Sequence, residues 1–459
     1  MTKGLAVNVL TNLFKPAPVI EAIAGEEAIK KEYKYWRVRI FYGMFIGYIF
    51  FYFTRKSYTF AMPLLMQDLG FDKAELGILG SILYITYGIS KFVSGVMSDQ
   101  SNPRFFMAIG LIITGIANIF FGLSSSLLLF AIFWGINGWF QGWGWPPCAR
   151  LLTHWYSKSE RGAWWSGCST SHNVGGFLIP IFIAFCANFG WRAAMFFPGA
   201  LCILIGFVLI NRLRDTPQSL GLPSIEKWKN DYSEKMETKE KELTTKEILF
   251  GYVLTNKWIW LLALASFFVY IVRMAITDWS ALYLIETKGY SMMKASGCVS
   301  VFELGGLFGM LVAGWLSDKI HAGRRGPMNV FFSAGMLIAL CMMWFYHGPN
   351  MWIDSAAIFM VGFFLFGPQM LIGLTAAELS HKKAAGTAVG FAGVFAYFGA
   401  AAAGFPLGKI AQVLGWPGYF VVLTVCCVIT VLLFLPMWNA QPTPVPTSPD
   451  KDEKDLIAA

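Results

Sequence analysis

The chain has 459 residues, of which 56% are hydrophobic, 17% aromatic and only 14% charged. A soluble domain carries about 25% charged residues. Repeated apolar stretches separated by short polar breaks leave an all-α polytopic membrane protein as the class. The net charge of +9 would suggest nucleic acid in a soluble chain; here the short loops account for it, and no nucleic acid partner is expected.

The first 37 residues hold Pro16, Pro18 and a charged run from Glu21 to Lys31, and read as a cytoplasmic leader without a cleavable signal. Six apolar spans follow at about 38–66, 76–98, 105–122, 127–149, 163–187 and 191–211, giving a first half over 38–211. Residues 212–256 are polar, alternate in charge and contain Pro217 and Pro223, which predicts a connector and not a further domain. Six more spans at about 257–285, 293–317, 328–346, 352–377, 384–411 and 415–437 make a second half over 257–437. The tail, 438–459, is rich in Pro, Thr and Asp and is expected to be disordered. The eight cysteines fall almost entirely within the apolar segments and show no ligand spacing, so free thiols are expected, with no metal or cofactor.

Basic residues set the orientation. Loops after even-numbered spans carry Arg104, Arg150, Lys158, Arg161, Lys319, Arg324, Arg325, Lys382 and Lys383, whereas those after odd-numbered spans carry only Lys73, Lys288 and Lys294. Nine against three places the first set, the connector and both termini in the cytoplasm.

The chain repeats itself. FVSGVMSDQSNPRFF at 92–106 and LVAGWLSDKIHAGRRGP at 311–327 both put Gly-x-x-x-Asp at the end of a span, ahead of basic residues, and Asp99 and Asp318 are 219 positions apart. Arg55 and Arg273 are 218 apart, each about fifteen residues into the first span of its half, or roughly 22 Å of helix. GWFQGWGWPP at 138–147 echoes GFFLFGPQMLIG at 362–373, each in a fourth span. Two six-helix halves in parallel repeat are the layout of secondary transporters that alternate access around a midplane site. An intramembrane guanidinium costs several kcal/mol without a partner or a wet cavity. Two at equivalent positions point to one shared cavity.

Around that cavity the first half offers Lys56, Lys91 and His172, and the acids within spans are few: Asp278, Glu303 and, near a span end, Glu378. Such an excess of positive charge calls for an anion, and arginine's planar fork suits phosphate. A bound phosphate would relieve two guanidinium groups drawn together, which couples the swing of the halves to occupancy and favours exchange. His172 stands as a ligand or as a helix-packing donor beside Gly175 and Gly176; Lys91 as a ligand or as a reach toward Asp99; Lys56, about 100° around the helix from Arg55, as a ligand or half of a structural pair. Tyr42, three and a half turns before Arg55, and Tyr270, almost one turn before Arg273, are the aromatic candidates. Asp278 reads as a compensating or gating charge. Asp99 and Asp318, with Arg104, Arg324 and Arg325, read as cytoplasmic latches between neighbouring helices that tune the conformational balance. Glu303 and Lys409 are weaker candidates. No nucleophile, base and metal stand together beside the arginines, so an enzyme is not expected.

These residues carry a resemblance. FKPAP (14–18), YFTRKSY (52–58), GISKF (88–92), SGVMSDQSNPR (94–104), GWFQGWGWPPC (138–148), HWYSKSERG (154–162), SHNVGG (171–176), RDTPQSLGLP (214–223) and VRMAITDWS (272–280) are similar to segments of the organophosphate:phosphate antiporter family of the major facilitator superfamily, over residues 14 to 438. The resemblance implies twelve helices in the bacterial inner membrane and exchange of a phosphorylated metabolite for inorganic phosphate. It implies that Arg55 and Arg273 bind phosphate, that His172 is the family's site histidine and that Lys91 is its second-helix lysine. Residues 367–386 and 390–404 are similar to the hexose-phosphate branch, whose main transporter carries an acid and a lysine where this chain has Ala400 to Ala403. Two readings therefore stand: a monomeric exchanger taking glucose 6-phosphate in preference to glycerol 3-phosphate, and a membrane sensor of external glucose 6-phosphate with a histidine kinase as partner.

Overall fold

The computed structural model describes residues 14–230, 247–320, 324–380 and 384–440. The first half comprises α1 (Glu26–Leu69), α2 (Lys73–Asp99), α3 (Pro103–Leu123), α4 (Leu127–Gln141), α5 (Trp145–Trp155), α6 (Lys158–Cys186) and α7 (Trp191–Arg212). The short α8 (Ile225–Lys229) follows. The second half comprises α9 (Lys257–Lys288), α10 (Met292–Lys319), α11 (Arg325–Phe345), α12 (Met351–Glu378), α13 (Ala385–Ala402), α14 (Phe405–Val413) and α15 (Gly415–Phe434).

Ten stretches among the described residues are long and apolar enough to cross a membrane. The two remaining crossings of the twelve are α1, whose middle carries Arg55 and Lys56, and the α4–α5 pair, whose pieces have 15 and 11 residues. The outer faces of the bundle expose apolar side chains such as Leu204, Phe207, Ile338 and Leu432, as a lipid-facing surface requires.

The fourth and eleventh crossings were expected as unbroken helices, and both break. A Cβ on Gly142 would lie 2.4 Å from Ser90 Oγ, so the chain passes too close to α2 for any other residue, and Pro146 and Pro147 then open α5 where a missing N–H costs nothing. Between α13 and α14, a Cβ on Gly404 would lie 2.7 Å from the Gly77 carbonyl. There the two halves meet backbone to backbone.

α1 begins at Glu26, twelve residues ahead of the expected span. The leader is also tied down from Phe14: Asn102 N donates to its carbonyl at 2.9 Å, Ala17 N donates to Asp215 Oδ2 at 2.9 Å, and Ile23 N donates to the Gly221 carbonyl at 2.8 Å. Asp215, 2% exposed, also takes Arg150 Nη2 at 3.0 Å. Residues 231–246, Lys382, Lys383, the tail from 441, and the side chains of Asp99 and Asp318 lie outside the described residues.

Two helices form the axis. From Phe51 to Met62 in α1 and from Ile271 to Leu284 in α9, every residue is buried. A helix covered on all faces sits at the centre of its bundle, so the charges on these two stretches face the seam between the halves and not lipid. We call the end of the molecule holding Glu26 and Phe434 the basic end, and the opposite one the hairpin end.

Candidate functional site

A cavity of about 320 Å³ lies between the halves, walled by α1, α2, α5 and α6 from one side and by α9, α10, α12 and α13 from the other. Its lining runs from Lys56, Thr277 and Glu303 to Lys91, Trp145 and Gln369, which lie nearer the basic end along their helices. On the hairpin side it is closed by bonds between the halves. Lys56 Nζ is paired with Asp278 and also donates to Tyr84 Oη at 2.9 Å and Thr277 Oγ1 at 3.2 Å, while Tyr84 Oη donates to Asp278 Oδ2 at 2.7 Å. Further out, Lys73 pairs with Glu286 at 2.7 Å, and Ser81 Oγ donates to the Ala401 carbonyl at 2.6 Å.

Arg55 is 5% exposed. Its guanidinium lies over the Tyr52 and Tyr87 rings, at 4.3 and 4.7 Å, and its Nε donates to Gln141 Oε1 at 3.0 Å. That glutamine is itself held: Gln141 Nε2 donates to Thr54 Oγ1 and to Asn137 Oδ1, both at 3.1 Å. Among the described residues no carboxylate pairs with Arg55, and its Nη2 has no partner. Two cation–ring contacts contribute about 1–2 kcal/mol each when desolvated, less than a buried charge costs.

Arg273, 7% exposed, is placed differently. It lies over Phe366 at 4.7 Å and Tyr270 at 5.6 Å, with Nη2 at 3.9 Å from Glu303 Oε1. Asn173 Nδ2 from α6 reaches across and donates to Glu303 Oε2 at 3.0 Å. The Arg273 Nε lacks a partner among the described residues. Both arginines thus line the same cavity and each keeps a buried N–H without a partner.

The other expected residues sort themselves. His172 lines the cavity, its ring parallel to Phe366 at 6.2 Å and its Nδ1 on the Ser169 carbonyl, which leaves Nε2 for a ligand. Lys91 lines it too, donating to Tyr397 Oη at 3.2 Å, as does Tyr270. Lys56 is on the wall but committed to Asp278, which makes it half of a bridge between the halves. Tyr42 is not on the wall. Thirteen residues before Arg55, about 20 Å of helix, it sits under Arg212 at the basic end. Arg104 donates to the Ile210 carbonyl at the end of α7 at 2.5 Å, and Arg325 grips Glu378 at 3.0 Å and Ser317 Oγ at 2.9 Å. Both tie helices within their own half. Arg324 stands at the N-cap of α11, where its carbonyl accepts from Ser317 Oγ at 3.5 Å.

Gln141, Tyr87, Phe366 and Gln369 were not singled out from the sequence. Two of them were visible: Gln141 and Gln369 are the amides within the two echoing fourth-span stretches.

Around the cavity, among the described residues, four cations (Arg55, Lys56, Lys91, Arg273) face two carboxylates (Asp278, Glu303), a formal charge of +2 before His172 is counted. A phosphate monoester carries about −1.5 to −2 near pH 7. The site and such a ligand neutralise each other.

Comparison with known proteins agrees. The Major Facilitator Superfamily model matches residues 44–404. The chain is 68% identical over 446 residues, 95% of its own length and 98% of the other's, to a probable hexose phosphate transport protein of Chlamydia pneumoniae. It is 51% identical over 415 residues, 90% of its length and 94% of the other's, to the membrane sensor protein UhpC of Escherichia coli strain K12. The fold is similar to that of a bacterial homolog of the human lysosomal transporter Spinster, solved in an inward-facing and occupied conformation, with a TM-score of 0.72 at 15% identity over 89% of this chain and 99% of that one.

Proposed function

Since the chain belongs to the Major Facilitator Superfamily, in its organophosphate:phosphate antiporter branch, we propose that it moves hexose 6-phosphate, glucose 6-phosphate first, into the cell in exchange for inorganic phosphate. The observation that carries this is the pair of buried arginines, each with an unpartnered N–H, that line one cavity of charge +2. The phosphoryl group sits between Arg55 and Arg273, with Lys91 as a further donor; His172, whose Nδ1–H is spent on the Ser169 carbonyl, donates from Nε2 once the phosphate dianion has drawn it into the imidazolium form. Charge-assisted, forked hydrogen bonds of this kind are the strong ones.

The protein lies in the bacterial inner membrane with both termini in the cytoplasm, a placement that the nine basic residues on that side support. The basic end is then the cytoplasmic one, and a cavity closed by Lys56–Asp278 and Lys73–Glu286 on the hairpin side faces inward. One chain builds the whole site, so a monomer suffices. Exchange follows from the charge: closing the empty site around two uncompensated guanidinium groups is unfavourable, and an anion removes the penalty, so the halves swing only when loaded.

Reconstitution into phosphate-loaded vesicles tests this. Labelled glucose 6-phosphate is expected to enter in proportion to internal phosphate, with glycerol 3-phosphate and phosphoenolpyruvate entering far more slowly. Correctly folded protein that exchanged no phosphate would sink the carrier reading. The identity with a named sensor favours a second reading, a receptor that transports slowly and reports occupancy to a histidine kinase. Tight binding of glucose 6-phosphate with negligible turnover in the same vesicles would select it.

A further inference from the structure

The phosphate half of the cavity is full of donors, and phosphate is an acceptor, so those groups read only one end of the ligand. The remaining wall lies toward the basic end, where α12 supplies Phe366, Gln369 and Met370. Gln369 stands one turn from Phe366, the ring under Arg273, which puts its amide about 4.5 Å along the helix from the phosphate anchor. Its Oε1 is buried and has no hydrogen-bond partner.

The echoing stretches supply a contrast, although their glutamines stand at different places in them, fourth and eighth. Gln141 and Gln369 occupy the two echoing stretches, GWFQGWGWPP and GFFLFGPQMLIG. Gln141 is fully engaged, accepting from Arg55 and donating to Thr54 and Asn137. Gln369 lines the same cavity and has no such partner for its oxygen. A buried amide oxygen without a donor is rare in a finished structure. The dianionic phosphoryl group of a monoester does not suit this oxygen, because its three free oxygens are acceptors and the amide oxygen is another. A partner that suits this oxygen has an O–H to give, which describes the hydroxyls of a polyol attached to the phosphate.

Resting on the hexose-phosphate reading above, we propose that Gln369 is a specificity-determining residue, pairing its amide with hydroxyl groups of the sugar and so separating hexose phosphate from inorganic phosphate and from less hydroxylated esters. Sites built to hydrogen-bond a hydroxyl discriminate against analogues that lack it, because the site's own polar group is then left unpaired.

The test uses the full chain in phosphate-loaded vesicles and compares KM for glucose 6-phosphate with KM for each of its monodeoxy analogues. The wild-type protein is expected to show roughly tenfold weaker use of the analogue lacking the hydroxyl that Gln369 reads. In Gln369→Leu and Gln369→Met that ratio is expected to collapse to near one. Because each ratio is taken within one protein, loss of yield or turnover in a variant does not obscure it. The two substitutions differ in shape, so one poorly folding variant leaves the other as the readout. If both variants keep the wild-type ratios for every analogue, Gln369 does not read the sugar. Wild-type protein that exchanges phosphate but no sugar phosphate would instead overturn the underlying reading.

Discussion

Arg55 and Arg273 occupy equivalent positions in the two halves and are held by unlike means. Arg55 rests on two tyrosine rings and one glutamine, with no carboxylate beside it among the described residues. Arg273 has Glu303 nearby, and Glu303 is fastened to Asn173 of the opposite half. One cation is left bare for the ligand, while the other is partly compensated and wired across the seam. On the proposed function, the difference would separate two tasks, holding an anion and sensing that it is held.

That contrast predicts opposite stability effects from the same substitution. Arg273→Met leaves Glu303 buried without its cation, and breaking such a pair costs about 3 kcal/mol or more. Thermal unfolding in detergent should therefore fall clearly, and Glu303→Gln added to it should restore most of the loss without restoring exchange. Arg55→Met removes an uncompensated charge, so its unfolding temperature should hold or rise while phosphate exchange drops by about a hundredfold or more. Equal losses of stability in the two variants would erase the distinction. The Lys56–Asp278 bridge gives a further check, since it is a full pair across the seam. Asp278→Asn strands a buried ammonium and should cost about 3 kcal/mol, most of which Lys56→Met in the same chain should recover.

The sequence made the two arginines legible because a repeat offset is a strong signal: one buried charge is ambiguous, whereas two at 218 positions are not. His172 and Lys91 were found as rare polar residues in apolar spans. The partners were harder. Lys56 and Asp278 meet, and Glu303 reaches both Arg273 and Asn173, only because separate helices from different halves pack at one level, and no spacing along the chain encodes that. Tyr42 was drawn in by counting turns on a straight helix, which keeps a face but carries the residue about 20 Å away from the level of the site. The breaks at Gly142 and Gly404 were written in the chain as Gly–Pro clusters, and hydropathy averaged over a whole span hid them.

Gln141 sharpens the comparison on Arg55's side. Its amide oxygen accepts from that guanidinium's Nε at 3.0 Å, and hydrogen bonds to charged groups contribute about 1.5–3 kcal/mol. Gln141→Leu should raise the KM for phosphate roughly tenfold, by letting Arg55 wander between its two rings. Gln141→Glu should be worse for transport although it binds Arg55 more tightly, because it would compensate the cation that the ligand needs bare. A Glu variant that exchanged as well as wild type would show that Arg55's isolation from carboxylates has no functional weight.

The smallest effect is expected farthest from the arginines. Lys73 pairs with Glu286 at 2.7 Å near the hairpin end, where Trp416 Nε1 also donates to Glu286 at 2.8 Å, and the side chains are 15% and 31% exposed. An ion pair so close to water is worth about 0–1 kcal/mol and is screened by salt. It joins the halves only while they are closed on that side, so its loss shifts the balance between the two facing states without touching the ligand. Glu286→Gln should change the KM for external substrate by about twofold at low salt, and the change should vanish at high salt. The same salt should leave the Arg55 variants as inactive as before, because a cation buried among rings and helices is beyond the reach of screening ions.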